Sequence, residues 1–164
     1  MDTTGTTEHT AVVTLPSDTT IQITREFAAP PAAVWRVWTE PELITRWWAG
    51  RRGTVTSIEM DLRVGGTWRF VMQAGPGFEV AFHGVNREIV VGEKLVSTEV
   101  YEAVPDAEAL NTATFEPLDG GRCRLTILTE HQNRQNRDMH VESGMEGGVQ
   151  EGLDIVEQLA VSLA

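Results

Sequence analysis

The fold is decided by residues 136–164, which read NRDMHVESGMEGGVQEGLDIVEQLAVSLA. Apolar residues recur in this stretch at intervals of three or four, the spacing that places side chains on one face of an α-helix. The members of that face are Val141, Met145, Val149, Leu153, Val156, Ala160 and Leu163. The pattern predicts one long C-terminal helix, whose apolar face has to be buried against another layer of the protein.

Strand-like segments separated by short turns fill most of the chain before this helix. They span residues 19–27, 54–60, 66–73, 78–90, 94–102, 111–118 and 122–131. Glycine-containing turns such as Asp119-Gly120-Gly121 separate them, and connections this short join antiparallel neighbours. A curved antiparallel sheet of about seven strands wrapped around the long helix is the simplest arrangement, so the sequence predicts an α+β fold.

Two short helices are predicted between the first and second strands, and most of the tryptophans fall there. Pro31 suits the first turn of one helix, and Pro41 ends it and begins the other. Trp35 and Trp38 are expected in the core, and Trp47 and Trp48 close the second helix. Adjacent helical positions point about 100° apart. We therefore expect Trp47 to pack under the second helix and Trp48 to lie at the mouth of a cavity, with the two rings facing different surroundings.

Length, composition and charge restrict the class of protein. The 164 residues suit one domain, predicted at 18–164 after a mobile threonine-rich tail at 1–17. The net charge of −11 repels phosphate backbones and anionic lipids, which argues against nucleic-acid and membrane-surface partners. The N-terminus has neither the basic flank nor the apolar run of a signal peptide, so we expect a cytoplasmic protein.

Four segments, taken in order, resemble a known family. They lie at residues 23–48, 61–70, 82–90 and 137–159, and include ITREFAAP, DLRVGGTWRF and FHGVNREIV. Together they resemble the bacterial SRPBCC, or START-like, proteins, in the branch named after the heat-shock-protein ATPase activator. The resemblance runs from about residue 15 to the C-terminus.

The resemblance implies the helix-grip fold, in which a seven-stranded sheet grips a long C-terminal helix and encloses a cavity. Members of the superfamily variously bind apolar ligands, cyclise polyketides or act as co-chaperones, so the fold does not decide the function. Many relatives carry a Gly-Trp pair early in the last helix, where this chain has Gly147, Gly148 and Val149. The missing ring either enlarges the cavity or is replaced by Trp48.

Candidate ligand-binding residues come from strands that alternate in polarity and from the long helix. Trp68 and Phe70 share one face of a strand, and Phe82 and Tyr101 are expected beside them. A stripe of glycines at Gly144, Gly148 and Gly152 accommodates either a closely packed element or a ligand. The predicted ligand-binding residues are Trp48, Trp68, Phe70, Phe82, Tyr101, Met145, Gly148, Val149 and Gly152.

Catalytic and metal-binding patterns are weak. His83 is predicted on the outer face of its strand, because it follows the inward Phe82. His131 and His140 do not have the spacing of a recognised zinc motif, and no cofactor is predicted. Cys123 is interpreted as a small buried apolar residue.

Three functions therefore remain open. The first is binding of an apolar or aromatic small molecule between sheet and helix, without turnover. The second is a co-chaperone-like module that contacts a chaperone or another protein. The third is a cyclase or hydrolase that uses His83 or Tyr101 with cavity-facing carboxylates. A homodimer is compatible with all three.

Overall fold

The computed structural model describes residues 10–164. Residues 1–9 of the predicted mobile tail lie outside the described residues. In chain order the elements are β1 (Val12–Thr14), β2 (Thr20–Phe27), α1 (Pro31–Thr39), α2 (Pro41–Trp47), β3 (Thr54–Met60), β4 (Thr67–Gly75), β5 (Phe78–Val90), β6 (Lys94–Tyr101), β7 (Ala109–Leu118), β8 (Arg122–Glu130), α3 (Arg134–Glu142) and α4 (Met145–Leu163).

The strands form one antiparallel sheet in the order β1-β2-β8-β7-β6-β5-β4-β3. This confirms the predicted α+β helix-grip fold, with eight strands among the described residues instead of about seven. The additional strand is β1, which pairs with β2 at one edge. Next to it, the Gln150 side chain of α4 accepts a hydrogen bond from the Ala11 amide at 3.0 Å and donates one to the Ala11 carbonyl at 2.7 Å.

The prediction of a single uninterrupted C-terminal helix is wrong. Gly144 has a φ of +83°, which a helix cannot contain, and it separates α3 from α4. The backbone can turn there because glycine lacks the Cβ that makes this conformation costly for other residues. The apolar face nevertheless continues across the break, since both Val141 and Met145 pack against the main core.

The helices α1 and α2 follow the predicted boundaries because each begins with a proline at its first position. Helix α1 packs its Val34 and Trp35 into the core, where Trp35 meets Phe115 of β7 edge-on at 5.3 Å between ring centroids. Helix α2 buries Ile44. Both helices contact α4, so they close one end of the space between α4 and the sheet.

The buried apolar residues form two separate clusters. The larger one joins β2, β7 and β8 to α1 and α4 and includes Phe27, Leu125 and Val156. The smaller one consists of Ile44, Trp68 and Phe70, with half-buried neighbours on β3 and β5. The space between the two clusters is the candidate functional site.

Candidate ligand-binding cavity

A cavity of about 350 Å³ lies between the sheet, the end of α2 and the first half of α4. Its walls contain residues from both apolar clusters. Six aromatic rings line it, namely Trp38, Trp47, Trp48, Trp68, Phe70 and Phe82. Met60, Met72 and Met145 add flexible apolar surface, which adapts readily to the shape of a neighbour.

The aromatic rings support one another in two groups. Trp38 and Trp47 are stacked with their ring centroids 4.8 Å apart, and the Trp47 indole donates a hydrogen bond to the Val37 carbonyl at 2.9 Å. Trp48 meets Phe70 and Phe82 edge-on, at 5.5 and 5.8 Å. These contacts orient rings that would otherwise have freedom to rotate into the empty space.

The expectation that Trp47 and Trp48 face different surroundings is wrong, because both line the same cavity. Helix α2 ends at Trp47, and Trp48 follows it as the C-cap residue. Each ring also packs against a different apolar cluster, Trp47 against the larger and Trp48 against the smaller. Trp38, expected in the core with Trp35, is also only partly buried and forms part of the cavity wall.

Eight of the nine predicted ligand-binding residues come together around this cavity. They are Trp48, Trp68, Phe70, Phe82, Met145, Gly148, Val149 and Gly152. Tyr101 does not line it; its ring stacks on that of Phe82, its register partner on β5, with the ring centroids 5.0 Å apart. A role for these residues in contacting a ligand stays a prediction.

The glycine stripe borders both a packed element and the cavity. A Cβ on Gly152 would lie 3.5 Å from the Trp47 carbonyl oxygen, so α2 approaches the backbone of α4 closely there. One turn earlier, the Arg52 side chain lies over Gly147 and Gly148. The same arginine has its Nε 3.6 Å from Oε1 of Glu151 and remains half exposed. Arg52 therefore covers the part of α4 that borders the cavity.

A short polar row of residues outside the predicted site crosses the sheet side of the cavity. Asn111 donates a hydrogen bond to Oε1 of Glu99 at 2.8 Å, and the Thr129 hydroxyl donates one to the Asn111 side-chain oxygen at 2.6 Å. The three residues lie on the adjacent strands β6, β7 and β8. Alternation along β6 places Glu99 on the same face as Ser97. This alternation is the signal that would have found Glu99.

Glu99 is the one carboxyl group among the described residues that line the cavity. Burial raises the pKa of Glu99 above its ordinary value, and the hydrogen bond from Asn111 offsets part of that rise. Among residues 10–164, Asn111 is its only hydrogen-bonding partner. No described residue hydrogen-bonds to the other carboxylate oxygen, Oε2, of this cavity-lining side chain.

A pair of histidines extends the polar side of the cavity towards α3. Nε2 of His131 lies 3.0 Å from Nδ1 of His140, and His140 lines the cavity. Burial, the neighbouring His140 and Arg137 together lower the pKa of His131 to about 4. Burial also lowers the pKa of His140, so near neutral pH the pair shares a hydrogen bond between uncharged rings.

The residues named for catalysis do not meet in the cavity. Nδ1 of His83 lies 2.9 Å from Oε2 of Glu102 on the outer face of the sheet, as the alternation predicts. Cys123 is buried, and burial raises the pKa of its thiol to about 12. In the part of the chain that the structure describes, no cluster of three or more His, Cys, Asp or Glu residues could hold a metal ion. Nor does any described helix have the length and apolar character needed to cross a membrane.

Residues 28–160 match the family model of the Activator of Hsp90 ATPase homolog 1-like proteins. The chain belongs to this family. The match covers α1 through most of α4, and it confirms the resemblance drawn from the four sequence segments. No curated protein matches the chain significantly.

Solved structures share the fold of this Hsp90-activator-homolog-like protein. A Rhodobacter sphaeroides protein has a TM-score of 0.86 at 23% identity, over 93% of this chain and 99% of that chain. A Nitrosomonas europaea protein has a TM-score of 0.79 at 26% identity, over 92% and 99%. A Chromobacterium violaceum protein has a TM-score of 0.74 at 26% identity, over 88% and 98%. These similarities establish the fold and leave the ligand or partner to be argued from the cavity.

Proposed function

We propose that this protein binds an apolar or aromatic small molecule in the cavity between sheet and α4, without chemical turnover. The observation that carries the proposal is the ring of six aromatic side chains around about 350 Å³ of space within the core. Protein interiors are normally packed as densely as organic crystals and contain few voids larger than a water molecule. A domain that needed these rings only for stability would be more stable if they packed tightly and left no cavity.

The combination of apolar and polar side chains in the cavity wall also favours a ligand. Ligand pockets are typically about 300–1,000 Å³ in volume, mostly apolar, with a few polar groups that orient the bound molecule. Here Glu99, Asn111 and Thr129 supply the polar groups, from the adjacent strands β6, β7 and β8. The fold is of a type that commonly binds hydrophobic ligands, which agrees with this proposal.

A cavity-filling variant tests the proposal. Ser97 lines the cavity from β6, and Ser97→Phe should place a ring in the space and abolish binding of a naphthalene probe measured by calorimetry. Val96 precedes it on the opposite face of β6, so Val96→Phe is a matched control that should bind as the wild type does. Equal binding by both variants, or no binding by the folded wild type, would rule the cavity out as the site.

Native mass spectrometry of the protein purified from its own host gives an independent readout. A retained compound in the wild type that is absent from Ser97→Phe would identify the ligand and locate it. An empty wild type together with an unbound probe would count against the proposal.

A chaperone-type protein partner is the alternative, because the family is described by its likeness to an activator of Hsp90 ATPase. The measurement is the ATPase rate of an Hsp90-type chaperone with and without this protein. A higher rate that Ser97→Phe leaves unchanged would assign the function to the surface of the protein. An unchanged rate would speak against this alternative.

A further inference from the structure

The electrostatics of the cavity point to the class of molecule that it binds. Three of its lining residues can carry charge, namely Arg52, Glu99 and His140. Arg52 extends along α4 towards Glu151 and is half exposed, and His140 is held in its pair with His131. Within the described residues, no salt bridge neutralises Glu99, whose hydrogen-bonding partner is the uncharged Asn111.

A carboxylate in this position is costly unless something pairs with it. Burial disfavours an ionised carboxyl that has no counter-ion, which is the cause of the raised pKa of Glu99. A cationic group that enters the cavity would stabilise the carboxylate form through a charge-assisted hydrogen bond to the oxygen that Asn111 leaves free.

Aromatic rings from β4 and β5 line the cavity together with Glu99. The Trp68 indole donates a hydrogen bond at 3.1 Å to the carbonyl of Thr98, the residue before Glu99. Phe82, stacked on Tyr101, lies on the neighbouring strand β5. The faces of such rings carry partial negative charge and attract cations to within about 6 Å of the ring centroid.

We propose that the ligand is a small organic amine or ammonium ion with an apolar body, bound with its cationic nitrogen against Glu99 and the aromatic wall. This inference rests on the proposed function, because it names the ligand class of the same cavity. A cation interacts favourably with both the carboxylate and the rings, a neutral polar group gains a single hydrogen bond, and an anion is repelled by both. The three methionines and the remaining rings would enclose the apolar body.

Three probes with the same aromatic body and different charge test the ligand class. They are 1-naphthylmethylamine, 1-naphthalenemethanol and 1-naphthoic acid, each titrated into the full chain by calorimetry at pH 7. We expect the amine to bind about tenfold or more tightly than the alcohol, since charge-assisted hydrogen bonds exceed neutral ones by roughly that factor. The acid should bind more weakly than the alcohol.

Glu99→Gln identifies the residue responsible for the preference. The glutamine can still accept the hydrogen bond from Asn111, so the wall keeps its shape while losing its charge. We expect the amine to lose about tenfold in affinity and the alcohol to change by less than about threefold. Glu59→Gln removes an exposed carboxylate from β3 and is the matched control, which should retain the wild-type preference.

The outcomes separate the ligand class from the proposed function. If the alcohol or the acid binds the wild type as tightly as the amine, the amine proposal is overturned while the cavity remains a binding site. The same follows if Glu99→Gln keeps the preference for the amine. If none of the three probes binds the folded wild type, both proposals fail. The comparison of probes in the wild type is decisive even if a variant does not fold.

Discussion

The Trp68 indole on β4 donates a hydrogen bond to the Thr98 carbonyl on β6 at 3.1 Å, although strand β5 lies between them. The indole passes over Gly84, its register partner on β5, which has no side chain to obstruct it. A Cβ on Gly84 would lie 2.5 Å from the indole nitrogen and even closer to the Thr98 carbonyl oxygen. Gly84 is therefore what allows Trp68 to complete this side of the cavity wall.

Gly84→Ala should destabilise the protein by about 2–3 kcal/mol, because the added methyl group has to displace backbone as well as the indole. The free energy of unfolding in urea measures the effect. Gly75→Ala on β4 is the control, since a Cβ there has no neighbour within 4 Å. Equal stability of the two variants would show that Trp68 does not occupy this position.

Glu99→Gln should become more stabilising as the pH rises. Burial raises the pKa of Glu99 above 4.5 in the folded protein, so folding favours its protonated form. The folded protein then loses stability, relative to the unfolded chain, as the pH rises from about 4.5 through the raised pKa, at about 1.4 kcal/mol for each pKa unit. Glutamine is uncharged throughout and avoids this loss.

Urea unfolding of wild type and Glu99→Gln between pH 4 and pH 8 measures the difference. The two proteins should have similar stability at the acidic end, where Glu99 is protonated in both the folded and the unfolded state. A difference that does not change with pH would mean that Glu99 is as well solvated in the folded protein as in the unfolded chain.

Glu157→Gln should cost about 2 kcal/mol, because it weakens the pairing of a buried arginine. Arg25 is almost completely buried, and its guanidinium donates to Asp154 at 2.6 Å and to Glu157 at 2.8 Å. Glu157 is largely buried as well, whereas Asp154 is mostly exposed. Asp154→Asn should therefore cause a smaller loss, and thermal or urea unfolding can rank the two variants.

The exposed pair formed by Arg36 of α1 and Glu40, the residue that follows α1, is the control for this comparison. Glu40→Gln should leave the unfolding free energy almost unchanged, because water screens exposed ion pairs. A larger effect at Glu40 than at Glu157 would contradict the role assigned to burial.

Two glycine substitutions should act in opposite directions. Gly144→Ala should destabilise the protein by about 1 kcal/mol, because alanine is strained at a φ of +83°. Gly148→Ala should stabilise it by up to about 1 kcal/mol, because alanine favours the helix. A Cβ at Gly148 would make only ordinary contact with Arg52, at 3.5 Å or more. Urea unfolding distinguishes this result from an unbroken helix, in which both substitutions would stabilise.

Most of the secondary structure could be predicted because its signals are local. Strands β3 and β5 begin and end at the predicted residues, since alternation and flanking glycines mark them directly. The break in the C-terminal helix was missed because Gly144 continues a regular spacing of four with Gly148 and Gly152. Spacing shows which residues can share a helical face, but it does not show whether the backbone stays helical at each of them.

The sequence by itself determined seven of the eight described strands, the two short helices and the aromatic character of the inner faces, because periodicity and turn chemistry act between near neighbours. Only the tertiary structure decided that Trp47 and Trp48 line one cavity and that Glu99 and Asn111 pair on its wall. Such relationships depend on which strands become neighbours and on where the packed layers leave space. Strand neighbours and the space between layers are both set by residues far apart in the chain. The pattern within a single segment therefore cannot predict them.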